Sequence, residues 1–128
     1  MRFLIVIASL LFSAGAWATD SHNKELHCLA MNIYHEARGE PVEGQLAVAL
    51  VTMNRVRHTR YPDDVCGVVW QRGQFSWTHD GRSDRPRDPH AWKKALKIAN
   101  FVYKRYDRLR ASTKGALDLT RGAIYYYA

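Results

Sequence analysis

The chain has 128 residues, with 19 Lys and Arg against 12 Asp and Glu for a formal charge of +7, and two cysteines. That length excludes two independent globular domains. The basic balance suits an anionic partner but does not name one.

Residues 1–18 read as a signal peptide: Met1-Arg2 supplies a positive charge, Phe3 to Phe12 is almost wholly apolar, and Ala16-Trp17-Ala18 is a cleavage pattern. The apolar run falls short of the about 20 residues that a membrane span needs. The alternative is an uncleaved anchor. The leader predicts an exported protein, periplasmic or secreted, with a mature start near Thr19 and no stable membrane insertion after cleavage. The mature domain, 19–128, then holds 110 residues with a net charge of +6. Export turns the search for an anionic partner from nucleic acid to wall polymers and anionic surfaces, and nothing in the pattern argues for more than a monomer. In an oxidising compartment Cys28 and Cys66 are expected to pair, tying the first helix to the third; two buried thiols are the alternative.

Residues 19–24 are polar and expected to fray. From Glu25 onward Leu26, Leu29, Ala30, Ile33, Tyr34 and Ala37 fall at helical spacing, and Gly39 and Pro41 end the helix. Gln45 to Val56 is apolar on every side and reads as a buried central helix, with Asn54 and Arg55 at its far end. Tyr61-Pro62-Asp63-Asp64 opens a short third helix with Val65, Val68 and Val69 on one face. Gln74-Phe75-Ser76-Trp77 alternates and is aromatic, which predicts a strand or extended loop. Residues 79–87 form a polar surface loop. Asp88-Pro89 caps a long fourth helix with Trp92, Ala95, Ala99, Val102, Tyr103 and Tyr106 inward and lysines and arginines outward. Trp70 and Trp92 are expected in the core. Ala123-Ile124-Tyr125-Tyr126-Tyr127 has strand composition. With nothing after that strand, the domain reads as one that stops short of its C-terminal end. The expected class is α+β, mainly α, with a short β element.

Glu36 is the residue with most chemical promise. It arrives at the end of a helix whose other inward positions are apolar. A carboxyl partly dried at a core edge has a raised pKa and stays protonated nearer neutral pH, as a general acid requires. The competing reading is a solvated helix end in which Glu36 or Glu40 pairs with Arg38 or Arg55. His35-Glu36 suggests a zinc protease, but the second histidine of that motif would stand at Gly39. His22, His27, His58, His79 and His90 lack ligand spacing, so no metal and no organic cofactor is expected. Ser76 lies in no nucleophile elbow. Carboxyl chemistry is what is left. Gln74, Phe75, Ser76 and Trp77 carry the amides and rings with which grooves hold sugars, or else they are core aromatics.

Cys28-Leu29-Ala30, Tyr34-x-Glu36-Ala37-Arg38-Gly39-Glu40, Gly44-Gln45-x-Ala47-Val48-Ala49 and Asn54-Arg55-Val56 follow one another in order. Tyr61-Pro62, Val65-Cys66-x-Val68-Val69, Gln74-Phe75-Ser76-Trp77 and Gly122-Ala123-x-Tyr125-Tyr126 continue the series. Together they resemble the SleB-type cell wall hydrolase family over about residues 26–127. The resemblance implies a small lysozyme-like or transglycosylase-like domain acting on peptidoglycan glycan strands, with lytic transglycosylase activity and Glu36 as the catalytic glutamate. It implies a substrate groove drawing on Gln74, Phe75, Ser76, Trp77 and Tyr125. Glu40 shares the motif, either as the second carboxylate of a hydrolytic muramidase or as a brace paired with Arg38 or Arg55. Family members usually continue past the Gly-Ala-x-Tyr-Tyr segment, and this chain does not. A non-catalytic wall-binding accessory domain is therefore the rival reading, and nucleic-acid binding the weakest.

Overall fold

The computed structural model describes residues 15–111 and 123–124, and over them the protein is built from four α-helices. They are α1 (Gly15–Ala37), α2 (Val42–Val56), α3 (Val65–Trp70) and α4 (Pro89–Ala111), with a 3-10 turn, Ser76–His79, between α3 and α4. α1 packs against the other three helices, and α2 packs against α3 and α4. No strand occurs among the described residues, so the strand alternative for Gln74–Trp77 falls away. The Gln74–Trp77 segment is extended at Phe75 and then coils into the 3-10 turn, because Thr78 returns both its N–H and its hydroxyl to Phe75 O. Tyr125–Tyr127, most of the second expected strand, lies outside the described residues. None of the described helices is long and apolar enough to cross a membrane.

α1 begins ten residues before the apolar periodicity does, so the polar stretch 19–24, expected to fray, is helical. Nothing between Trp17 and Ala37 is proline or glycine, and helix propensity does not fall until Gly39. α2 conforms to its apolar run: Val48 to Arg55 are eight consecutive buried residues. Its entry is set by Pro41, whose carbonyl accepts from Gly44 and Gln45 while the ring closes off the helix behind it. In α4, Ala95, Ile98, Ala99, Val102 and Tyr106 are buried, while Lys93, Lys97, Lys104, Arg105 and Arg108 face solvent. Asp88 caps α4, its Oδ1 accepting from His90 N and Ala91 N at 3.0 Å each. Trp92 packs half-buried against the core, but Trp70 is 39% exposed, a correction to its expected place inside. A six-residue helix buries one stripe only, and here the stripe is Val65, Val68 and Val69.

Two devices staple α1 to α3. Cys28 and Cys66 form a disulfide with their Cα atoms 5.2 Å apart, as the composition suggested. One turn earlier on α1 the Glu25 carboxylate accepts from Val65 N and Cys66 N, so an acid from a different helix covers the open end of α3. Asp64 completes the cap by accepting from Gly67 N. A Cβ at Gly67 would lie 2.8 Å from Pro62 Cβ and 2.9 Å from Asp64 Oδ1. Gly67→Ala is therefore expected to break the cap and destabilise the fold by about 1–3 kcal/mol. Gly39→Ala meets nothing within 4 Å and should stay within roughly 0.5 kcal/mol of wild type. Urea titration of both variants checks the difference.

Candidate active site

Four consecutive residues at the end of α1 divide the surroundings between them. Tyr34 is buried, and its hydroxyl accepts from Arg87 N and Asp88 N at 3.1 Å each, fastening the start of α4 to α1. His35 stacks on the Trp77 ring at 4.4 Å and 20°, and its Nε2 donates to Asp84 O at 2.8 Å. A carbonyl only accepts, so that bond places a proton on Nε2. Glu36 turns to the other side. Ala37 is buried, and Glu40 N–H returns to Ala37 O to close the turn. Gly39 makes this turn without a left-handed φ; the described glycines that need one are Gly73 and Gly81.

Glu36 lines a small cavity of about 90 Å³ with Val48, Val51, Arg55, Gln74 and Phe75. That is room for a few waters or one functional group, not a sugar ring. Its apolar wall strips water from the carboxyl, and this burial raises the Glu36 pKa above the ordinary 4.5, against the pull of Arg55 and, more weakly, of His35. Arg55 is only 6% exposed. Its guanidinium lies 5.1 Å from the Phe75 ring and 5.4 Å from the Tyr61 ring, and Nε donates to Ile124 O at 2.7 Å. Residues 123 and 124 are thus held on the end of α2, with Asn54 Nδ2 donating to Ala123 O beside Arg55.

The structure gathers part of the expected set. Gln74 and Phe75 join Glu36 at the cavity. Ser76 is exposed one residue further on, outside that lining. Trp77 is 7% exposed and belongs to the core, its Nε1 donating to Asn32 Oδ1 at 3.0 Å, so it positions His35. Glu40 is exposed and forms no ion pair with Arg38 or Arg55 among the described residues; the turn is braced by its backbone oxygen, which accepts from Gln45 Nε2. Tyr125 lies outside the described residues. The sequence reading missed Asn32 and Thr52, both fully buried and bonded to each other at 3.1 Å. The one available signal was a polar residue within the apolar stripe of α1.

Among the described residues, one carboxyl stands at a partly apolar cavity beside a buried guanidinium and an amide, in a small helical domain. Residues 39–128 match the Cell Wall Hydrolase family, and the chain belongs to it. The match begins at Gly39, so Glu36 enters the site on its geometry. The spore cortex-lytic enzyme of Halalkalibacterium halodurans is 36% identical over 105 residues, covering 82% of this chain and 27% of the relative. That of Bacillus cereus is 31% identical over 103 residues, 80% of this chain and 34% of the relative. That of Bacillus subtilis is 42% identical over 60 residues, 47% of this chain and 20% of the relative. The chain therefore spans about a fifth to a third of the length of these curated relatives. No solved structure matches it.

A raised carboxyl pKa has a consequence for stability. Above pH 4.5 the unfolded chain has lost this proton while the folded chain still holds it, so stability falls as pH rises through that window. The loss is complete above the folded-state value. Glu36→Gln is a permanent mimic of the protonated form. It is expected to melt above wild type at neutral pH and to converge with it at about pH 3, below the ordinary carboxyl range. Thermal melts of both proteins across that range check this; parallel curves at every pH would mean a well-hydrated Glu36.

Proposed function

We propose that this chain cleaves peptidoglycan glycan strands as a lytic transglycosylase, with Glu36 as its one general acid and base. The observation that carries the reading is the partly dried Glu36 carboxyl beside Arg55 and Gln74. Membership of the Cell Wall Hydrolase family supports a wall polymer as substrate. So do relatives named for lysis of the spore cortex. The Cys28–Cys66 disulfide suits the oxidising side of a membrane and supports an exported location.

In this mechanism Glu36 donates its proton to the oxygen between N-acetylmuramic acid and N-acetylglucosamine as the C1–O bond breaks and positive charge grows at C1. The muramic C6 hydroxyl then bonds to C1, and the Glu36 carboxylate takes the hydroxyl proton. The product is a 1,6-anhydro sugar, and Glu36 is protonated again. Hydrolysis with inversion would use a second carboxylate about 6.5–9.5 Å away, and retention one at about 5–5.5 Å. Among the described residues that line the cavity Glu36 is the only carboxyl, which favours a substrate-supplied nucleophile. Gln74 offers an amide to a single sugar hydroxyl or acetamide that enters the cavity, and Phe75 forms part of its apolar wall.

Digestion of purified sacculi, followed by mass spectrometry of the released fragments, tests the reading. Wild type is expected to release anhydro-muropeptides, with a rate that declines as pH rises through the Glu36 pKa. Glu36→Gln should lower the rate by about 10²–10⁴-fold. Fragments with reducing ends would replace the transglycosylase with a muramidase. Cosedimentation with sacculi without release by either protein would leave a wall-binding domain.

A further inference from the structure

A second cavity, of about 590 Å³, is lined by His35 of the α1 terminus and by Trp77. Arg38, Arg82, Arg85 and Arg87 line it. The volume falls within the roughly 300–1,000 Å³ of small-molecule sites. Its two acids, Asp80 and Asp84, leave a surplus of two positive charges in the lining. They do not neutralise the arginines by contact either, for among the described residues the one ion pair is Arg57–Asp107, elsewhere on the molecule. Asp80 Oδ1 instead accepts from Arg82 N at 2.9 Å, and the Asp84 backbone oxygen is taken by His35. Four guanidinium groups are thus left with their forks available, Arg38 resting over the Tyr34 ring at 5.1 Å.

The loop that carries three of them is anchored. His35 holds it at Asp84, and Tyr34 holds it at Arg87 and Asp88, all from the last turn of α1. Successive residues of a helix point about 100° apart, so His35 and Glu36 address neighbouring cavities from adjacent positions.

We infer that the arginine-lined cavity is a binding subsite for a carboxylate-bearing peptide branch of the same polymer whose glycan bond lies at Glu36. The inference rests on the proposed peptidoglycan substrate, whose sugar backbone is neutral at the scissile bond and whose acidic groups are carried on the peptide attached to the muramic residue. Guanidinium forks match carboxylates two bonds at a time, and four of them around one cavity select an acidic branch over an amidated one. Glu36 would act on the backbone while the arginines fix which muramic residue stands before it.

The test uses the full chain and a fluorescently labelled stem peptide with free carboxylates, its carboxamide counterpart, and inorganic phosphate as competitor, read by anisotropy. Wild type is expected to bind the acidic peptide at least about tenfold more tightly than the amide, and Arg82→Ala/Arg85→Ala to lose at least about tenfold. Lys93→Ala/Lys97→Ala, which removes the same charge from the exposed face of α4, should bind like wild type. Equal binding of the amide, an unaffected arginine variant, or an equal loss in the lysine variant would overturn the subsite. Displacement by phosphate as effective as by acidic peptide would make it a phosphate site and also overturn it. Cleavage of peptide-free glycan strands is measured alongside. Cleavage without peptide binding removes the subsite and leaves the glycosidase, whereas peptide binding without cleavage does the reverse.

Discussion

The side-chain amide of Asn32, fully buried towards the C-terminal end of α1, accepts from Trp77 Nε1 and donates to Thr52 Oγ1, which in turn donates to Val48 O at 2.8 Å. This chain joins α1, α2 and the 3-10 turn through groups that have no water to fall back on. A buried donor or acceptor left without its partner costs about 1–3 kcal/mol, so a slip of either element relative to α1 is penalised at several atoms together. The consequence for the site is positional. With Trp77 fixed, His35 has a face to stack on; with His35 fixed, Asp84 and the arginine loop have an anchor. Val48, at the receiving end of the chain, is also a wall of the Glu36 cavity. Both cavities are thus referred to one amide.

Glu36 and Arg55 share the smaller cavity without forming an ion pair, and that separation is what allows the carboxyl to keep a raised pKa. A guanidinium in direct contact would hold the carboxylate ionised and lower its pKa. Here the Arg55 guanidinium sits near the faces of Phe75 and Tyr61, and its Nε is committed to Ile124 O. Its attraction reaches Glu36 through space and weakens with distance, while the apolar wall acts on the carboxyl at contact. Burial prevails, so the Glu36 pKa stays above the ordinary value. Carboxyls shifted in this way are enriched at functional sites.

The elements most legible in the sequence are those whose signal is local. The unbroken apolar run announced α2, the Asp88-Pro89 pair announced the start of α4, and Pro62-Asp63-Asp64 announced α3, which begins later than expected, at Val65. The cysteine pair and the inward turn of Glu36 were readable for the same reason, one from redox chemistry and one from periodicity. What escaped was decided by distant residues. The polar start of α1 has no periodicity, yet it is helical. Phe75 and Trp77 alternate as a strand would, but no strand occurs among the described residues to pair with the segment, and it coils instead. Trp70 has core composition and surface placement because α3 is too short to bury two faces. Glu40 has the charge of a brace, but its backbone oxygen performs the task through Gln45. Asn32 sits amid leucine and isoleucine, and only the indole that arrives from residue 77 explains it.

The arginine loop shows the same limit from the side of function. In the sequence, residues 79–87 are a polar, turn-rich connection with nothing to distinguish them from solvated surface. Tyr34 and His35 change their meaning by binding two backbone groups of that connection and the N–H of Asp88 just after it, which makes a loop into a wall. Once it is a wall, its charge acts at a fixed distance from Glu36. Binding energy gathered at a part of the substrate remote from the breaking bond can orient the reacting atoms, provided that both sites are held by one rigid element. The last turn of α1 is that element: Tyr34 and His35 hold the loop, Glu36 lines the smaller cavity, and the buried Ala37 keeps the turn against the core. Under the proposed reading, selectivity for the branch and chemistry on the backbone are set by the register of four consecutive residues.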